Sequence, residues 1–198
     1  MKARLAALFL WGNIGLVSAQ ELAAGKLLVA ARGLPDPNFA ETVILLTSYS
    51  EKGAMGLVIN RPTRFTLASL FPENAAIKAR QGHAFWGGPV ESGAVFVLAR
   101  AGEVPADAQK VTGDIYMVTT KPSVEKLCNT KGVVRLYLGY SGWGAGQLDR
   151  EMKLRSWHVL RVDSGMVFDA DPESIWPRLI QRTDVFLAGG FRSISLLR

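Results

Sequence analysis

Val133-Val134-Arg135-Leu136-Tyr137-Leu138-Gly139-Tyr140-Ser141-Gly142-Trp143-Gly144-Ala145-Gly146-Gln147-Leu148 changes character twice along its length. Its first six residues are β-branched, leucine or tyrosine around one arginine, the composition of a strand. Glycines then punctuate the chain, and Ala145–Leu154 carries the residue types of a helix. Working outward, further short Val/Ile/Leu-rich runs predict strands at Leu27–Ala31, Val43–Ser48, Met55–Asn60, Val95–Ala99, Ile115–Thr119, Val133–Tyr140 and Trp157–Val162. Ser50-Glu51-Lys52-Gly53 separates two of these runs by a polar loop ending in glycine, a hairpin signal. Helices are expected at Thr66–Phe71 before Pro72, at Ser123–Cys128 after Pro122, and at Pro172–Arg182, where Pro177 is expected to bend or shorten the element. Strands and helices do not alternate as a doubly wound parallel sheet requires. The expectation is an α+β fold with a mixed, mostly antiparallel sheet and a few short peripheral helices.

The chain has 198 residues, 48% hydrophobic and 20% charged, which excludes a disordered tail protein. No linker, repeat or low-complexity tract divides residues 25–198, so one domain is expected. Lys2 and Arg4 precede the apolar run Leu5–Trp11, no acid occurs before Glu21, and Val17-Ser18-Ala19 offers compact residues before polar Gln20. That is the layout of an export signal, with cleavage expected after Ala19 and residues 20–198 forming the domain. Gly12, Asn13 and Gly15 interrupt the run, so it falls short of the roughly 20 apolar residues of a spanning helix. The formal charge of +6 becomes +4 once Lys2 and Arg4 leave 21 basic residues against 17 acidic ones. An exported chain would be periplasmic or extracellular. The single cysteine, Cys128, excludes a disulfide framework, and Val124, Leu127 and Cys128 at i, i+3 and i+4 place it on the packed face of a helix.

The segment Gly139–Leu148 admits two chemical readings beside a plain tight turn. Backbone N–H groups at the start of the following helix would face an anion, but Gln147 stands where a dinucleotide fingerprint has its third glycine, and no Lys-Ser/Thr follows. Ser141 matches the centre of Gly-x-Ser-x-Gly except that Trp143 closes it, and His158 lies too near in sequence for a usual hydrolase order. A turn or helix-cap role for Ser141 is the simpler account. His83 and His158 lack partners at metal spacing, so no metal site and no cofactor is expected. Asp36-Pro37-Asn38-Phe39 and Asn60-Arg61-Pro62 read as side-chain-stabilised turns. That is the simpler account; the sharper one is that they frame a polar cleft in which Arg61 meets a carboxylate or phosphate. From Arg150 onward basic residues exceed acidic ones by only two, and no element long enough to read DNA is present.

With these segments placed, the chain resembles the AlgH/YqgE family of bacterial proteins from about Gly25 to Trp176. The resemblance rests on Leu27-Leu28-Val29-Ala30 leading to Asp36–Phe39, on Gly53-Ala54-Met55-Gly56-Leu57-Val58-Ile59-Asn60-Arg61-Pro62, and on Gly87-Gly88-Pro89-Val90 before Phe96-Val97-Leu98. It rests further on Leu138–Leu148 with Glu151 and Trp157, and on Phe168-Asp169 and Trp176. It implies one α+β domain with a branched, partly barrel-like sheet and no established enzymatic activity. Relatives usually begin near Gln20–Gly25 and are typically cytoplasmic, which makes residues 1–19 an addition. This chain departs from the family at Ala31-Arg32 in place of Met-Pro, at Ala99-Arg100 where a histidine is common, and at Arg155-Ser156 where an asparagine is expected. A ligand held at those positions in relatives would differ here.

Three functions follow as expectations. The first is a non-enzymatic ligand-binding or regulatory module whose loops line one cleft, with Asp36, Asn38, Asn60, Arg61, Gly87, Gly88, Ser141, Gly142, Trp143 and Gln147 as its residues and a small anion or a protein as partner. The second is a hydrolase or transferase using Ser141. The third is a transcription-associated regulator, as the family label suggests. No oligomeric state can be read from the sequence.

Overall fold

The computed structural model describes residues 21–130 and 132–183. The expected export signal at 1–19 lies outside them. Ten strands are present among the described residues: β1 (Lys26–Ala30), β2 (Val43–Ser50), β3 (Gly53–Val58), β4 (Pro62–Thr66), β5 (His83–Trp86), β6 (Val90–Arg100), β7 (Gln109–Thr112), β8 (Ile115–Val118), β9 (Val133–Gly144) and β10 (Trp157–Arg161). They lie in the order β10-β1-β2-β3-β9-β6-β8-β7, with β5 branching from β9 and β4 beyond it. The β5–β9 pairing is parallel, Phe85 opposite Tyr137 and Trp86 opposite Leu138; the others are antiparallel. The sheet curls into a half-barrel. Its far end returns to β2, where Gln109 Nε2 donates to the Thr47 carbonyl at 3.2 Å.

The expected mixed α+β domain is what the chain forms. Each expected strand is present, and Ser50 pairs with Gly53 across the expected hairpin. Leu27–Ala30 and Val43–Leu46 are wholly buried, because the curl encloses one face while residues 164–183 cover part of the other. In that covering, the Trp176 indole N–H donates to the Ala30 carbonyl at 2.9 Å. Ile175, Leu179 and Ile180 bury alongside. Each such side chain contributes about 1.5–3 kcal/mol over exposure.

The helices are short: α1 (Leu67–Leu70), α2 (Ala75–Lys78), α3 (Lys121–Cys128), α4 (Gln147–Lys153) and α5 (Ser164–Val167). A 3-10 turn at Pro172–Ser174 runs into helix over 175–183. Pro177 falls in the first turn of that helix, where a missing N–H breaks no helical bond, so the helix continues past it. Val124, Leu127 and Cys128 do share one buried face, packed with Leu67, Ile77, Val97, Ala99 and Leu136 in a second core. Burial pushes the Cys128 thiol up, which keeps it un-ionised.

Three strands and two helices escape the sequence reading. β4 and β7 are mostly exposed and polar, and β5 offers only three apolar residues after His83, so none of them shows the apolar run that marks a buried strand. The larger difference is in β9, which continues through the glycines to Gly144 instead of ending at Tyr140.

Candidate functional site

The loop after β1 is tied down by Asp36 within it and by Asn60 and Arg61 from the corner after β3. Asp36 Oδ1 accepts the Asn38 N–H at 2.8 Å, closing an Asx turn. Arg61 donates to the carbonyls of Asn38 and Ala40, both at 2.7 Å, and its guanidinium lies 5.2 Å from the Trp86 ring centroid. Buried Asn60 accepts the Val43 N–H at 2.8 Å and donates to the Glu41 carbonyl at 2.9 Å. Glu41 between them has φ of 58°, a left-handed conformation that costs a side-chain-bearing residue about 1–2 kcal/mol. Burial pulls the Arg61 pKa down, with the Glu41 and then the Asp36 carboxylate opposing that shift.

Gly87 and Gly88 cross β9 at Gly139–Ser141, backbone against backbone. A Cβ on Gly87 would stand 2.2 Å from the Gly139 carbonyl oxygen, and one on Gly88 2.2 Å from the Tyr140 carbonyl carbon. The crossing is bonded on both sides: Gly87 donates to Leu138, while its carbonyl accepts from Val58 N–H at 3.0 Å and from the Ser141 hydroxyl at 3.1 Å. Ser141 is completely buried and lies within a strand opposite Gly56. The expected turn or cap role is therefore corrected. So is the nucleophile role, because a hydroxyl sealed from solvent and committed to a carbonyl reaches no substrate.

Trp143 belongs to an aromatic group with Phe39 and Trp157, at ring separations of 5.9–6.3 Å. Glu151 holds this group from α4. Its Oε2 accepts both indole N–H groups, from Trp143 at 2.9 Å and Trp157 at 2.8 Å, and its Oε1 accepts from Gln147 Nε2 at 3.0 Å. Gln147 in turn accepts the Gly144 N–H at 3.1 Å. Here Gly146, in the left-handed region at φ 65°, starts a helix of seven residues, and the polar groups at that corner bond one another.

Phe39, Trp86 and Trp143 thus bring the Asp36 loop, the Arg61 corner and the glycine-rich strand together, but as packed layers. The recesses lie around them. One of about 540 Å³ is lined by Ala31, Arg32, Gly33, Leu34, Glu41, Arg61 and Trp176, among others. A shallow one of about 560 Å³ on the outer face of β2, β3 and β9 includes Gly142 and Trp143. A third, of about 490 Å³, sits where β5 splits from β9 and takes none of the ten expected residues. Arg32 and Trp176 were visible in the sequence only as a departure and a motif tryptophan. Their meeting, with the guanidinium 5.8 Å from the ring centroid, depends on the return of the chain after α5. Among the described residues no group of three His, Cys, Asp or Glu side chains is placed to hold a metal, and no helix is long and apolar enough to cross a membrane.

Comparison with known proteins agrees with this architecture. An AlgH-like family model matches residues 27–188. A UPF0301 protein of Streptomyces coelicolor is 35% identical, over 80% of this chain and 85% of its own. Another, from Bordetella pertussis, is 38% identical over 84% and 87%. The solution structure of the AlgH protein from Pseudomonas aeruginosa superposes with a TM-score of 0.67 at 32% identity, covering 81% of this chain and 88% of that one. A crystal structure of a protein from Corynebacterium diphtheriae gives 0.70 at 23% identity over 82% and 88%, a likeness of fold.

Proposed function

The chain belongs to the AlgH-like family, and from that premise we propose that it is an exported, non-enzymatic binding module that takes a small anion in the recess beside the Asp36 loop. One observation carries this reading. Two guanidinium groups line that recess against a single carboxylate, and each lies over an indole, Arg32 over Trp176 and Arg61 over Trp86. Arg61 spends two donors on the Asn38 and Ala40 carbonyls, and a guanidinium has five, so stacking fixes its plane while other N–H groups remain for planar hydrogen bonding to a carboxylate or phosphate. The ties from Arg61 and Asn60 hold the loop in shape before a ligand arrives, so little ordering cost falls on binding.

Titration with inorganic phosphate and with acetate, followed by amide NMR, tests the reading. Perturbation is expected at residues 31–41 and at the Trp176 indole. Replacing Arg32 with Ala is expected to weaken binding about tenfold, the effect of one charge-assisted hydrogen bond. No perturbation of this loop by either anion at millimolar concentration would refute it. Export is supported by Lys2 and Arg4 ahead of Leu5–Trp11 and by Val17-Ser18-Ala19. N-terminal sequencing of the protein from an envelope fraction is expected to begin at Gln20. An intact Met1 in the cytoplasmic fraction would remove that part of the proposal.

A further inference from the structure

The recess where β5 parts from β9 has a different chemistry and does not depend on the anion reading above. Phe85 and Trp86 pair with Tyr137 and Leu138, but the pairing stops there. Upstream the two strands separate, and residues 170–173 close the gap into a recess of about 490 Å³. This lies within the roughly 300–1,000 Å³ typical of small-molecule sites.

Its walls carry opposite charges. Arg135, half-buried in an otherwise apolar strand, lies 4.2 Å from the Phe85 ring centroid. It donates from Nη1 to the Val167 carbonyl at 2.9 Å and from Nη2 to the Asp169 carbonyl at 2.7 Å. A guanidinium has five N–H donors, so those two bonds anchor the side chain and leave others for a ligand. His83 and Gln81 line the same recess. Asp171 and Glu173, exposed on the segment after α5, line it as well, and the prolines 62 and 172 supply apolar surface, with Leu67 and Leu136 buried in the second core behind them. None of the side chains of Gln81, His83, Asp171 and Glu173 has a hydrogen-bond or ionic partner among the described residues.

The region behind Arg135 is also polar without being satisfied. The Tyr137 hydroxyl is fully buried and has no well-formed hydrogen bond among the described residues, and Arg135 opposes, by its charge and by a weak side-chain contact, the rise that burial imposes on its pKa. An arginine set into this strand is therefore positioned by its two carbonyl acceptors and the Phe85 face, not by an acidic partner.

We propose that this recess binds a small zwitterion of the α-amino-acid kind, its carboxylate on Arg135 with help from His83 and Gln81, its ammonium between Asp171 and Glu173, and an apolar side chain against Pro62 and Pro172. A simple anion would meet the two carboxylates and a simple cation would meet Arg135, so only a ligand with both charges satisfies both walls.

The test is calorimetric and NMR titration of the full chain with L-leucine, isocaproate and isoamylamine, which keep the same apolar group and carry both charges, only the negative one or only the positive one. Leucine is expected to bind with perturbations at residues 82–83, 135–136 and 170–173, and to bind roughly tenfold more tightly than either single-charge analogue. Asp171→Asn and Glu173→Gln, both at exposed positions, are expected to weaken leucine while leaving isocaproate as weak or making it tighter. Equal affinity for leucine and isocaproate, or no perturbation of these residues by leucine, would overturn the proposal. Retained phosphate binding at the Asp36 loop in the same variants separates this outcome from failure of the anion reading.

Discussion

The crossing at Gly87–Gly88 and the recess at Arg135 are both built on β9, only a few residues apart, yet they use polar groups in opposite ways. At the crossing each polar group finds its partner inside the chain: Ser141 on Gly87, Trp143 and Trp157 on Glu151, Gln147 between Glu151 and Gly144. Around the recess, two carboxylates, an imidazole and a carboxamide face open space. The crossing is dense in motif residues and the recess has almost none. A glycine-rich motif therefore reports here where two backbones must touch, which is a packing demand. Polar side chains without a partner are found instead where the sequence reads as ordinary surface.

Substitutions can break this contrast, and the largest effect is expected at the crossing itself. Gly88→Ala puts a methyl into the Tyr140 backbone and should cost on the order of 3 kcal/mol or prevent folding, read by chemical denaturation. A stability loss below about 1 kcal/mol would mean the crossing is looser than the geometry requires. Glu151→Ala leaves two indole N–H groups without their acceptor, and a loss of about 2 kcal/mol is expected, with altered near-ultraviolet circular dichroism from Trp143 and Trp157. Ser141→Ala removes one buried hydrogen bond to Gly87 and should cost about 1 kcal/mol. In the unaltered protein a serine-directed fluorophosphonate is expected to leave Ser141 unlabelled; labelling there would restore the hydrolase reading. Tyr137→Phe deletes a hydroxyl that has no well-formed hydrogen bond among the described residues, so stability should stay unchanged or rise by up to about 1 kcal/mol.

A smaller effect sharpens the recess side of the comparison. Asp169, whose carbonyl receives Arg135, has its carboxyl pKa held below the ordinary aspartate range, chiefly by the Arg178 hydrogen bond and then by the Asp171 N–H. Because the folded value lies below the unfolded one, this contribution is fully present above the ordinary aspartate pKa of about 3.9. It is lost as pH falls through the folded value. The thermal midpoint is therefore expected to drop on acidification below that point, and Asp169→Asn should shallow the dependence there. An unchanged pH profile in that variant would detach the Arg178 pairing from stability.

Much of the fold was legible. The runs at Leu27, Val43, Met55, Val95, Ile115, Val133 and Trp157 announced their strands because buried strands need contiguous β-branched and leucine residues. Val124, Leu127 and Cys128 announced their helix face through spacing alone. The site was legible only in part. Asp36, Asn38, Asn60 and Arg61 were found as a group, and in the structure they do meet, but largely to hold a loop. Arg135 carried a signal, a charge within an apolar strand, yet nothing local says that β5 will run beside it and then part from it.

By itself the amino-acid sequence determined the class of the domain, most strand positions, the buried face that holds Cys128 and the family to which the chain belongs. The first three depend on periodicity, composition and local order along the chain, and the family on the order of its motifs. Only the tertiary structure decided that the glycines mark a backbone crossing, that Ser141 is sealed, and that two arginines share a recess with Glu41 and Trp176. Those outcomes are set by contacts between residues far apart in sequence, such as Ala30 with Trp176 and Gly87 with Ser141. Their partners are chosen by how the sheet curls and branches, and local propensity contains no record of that.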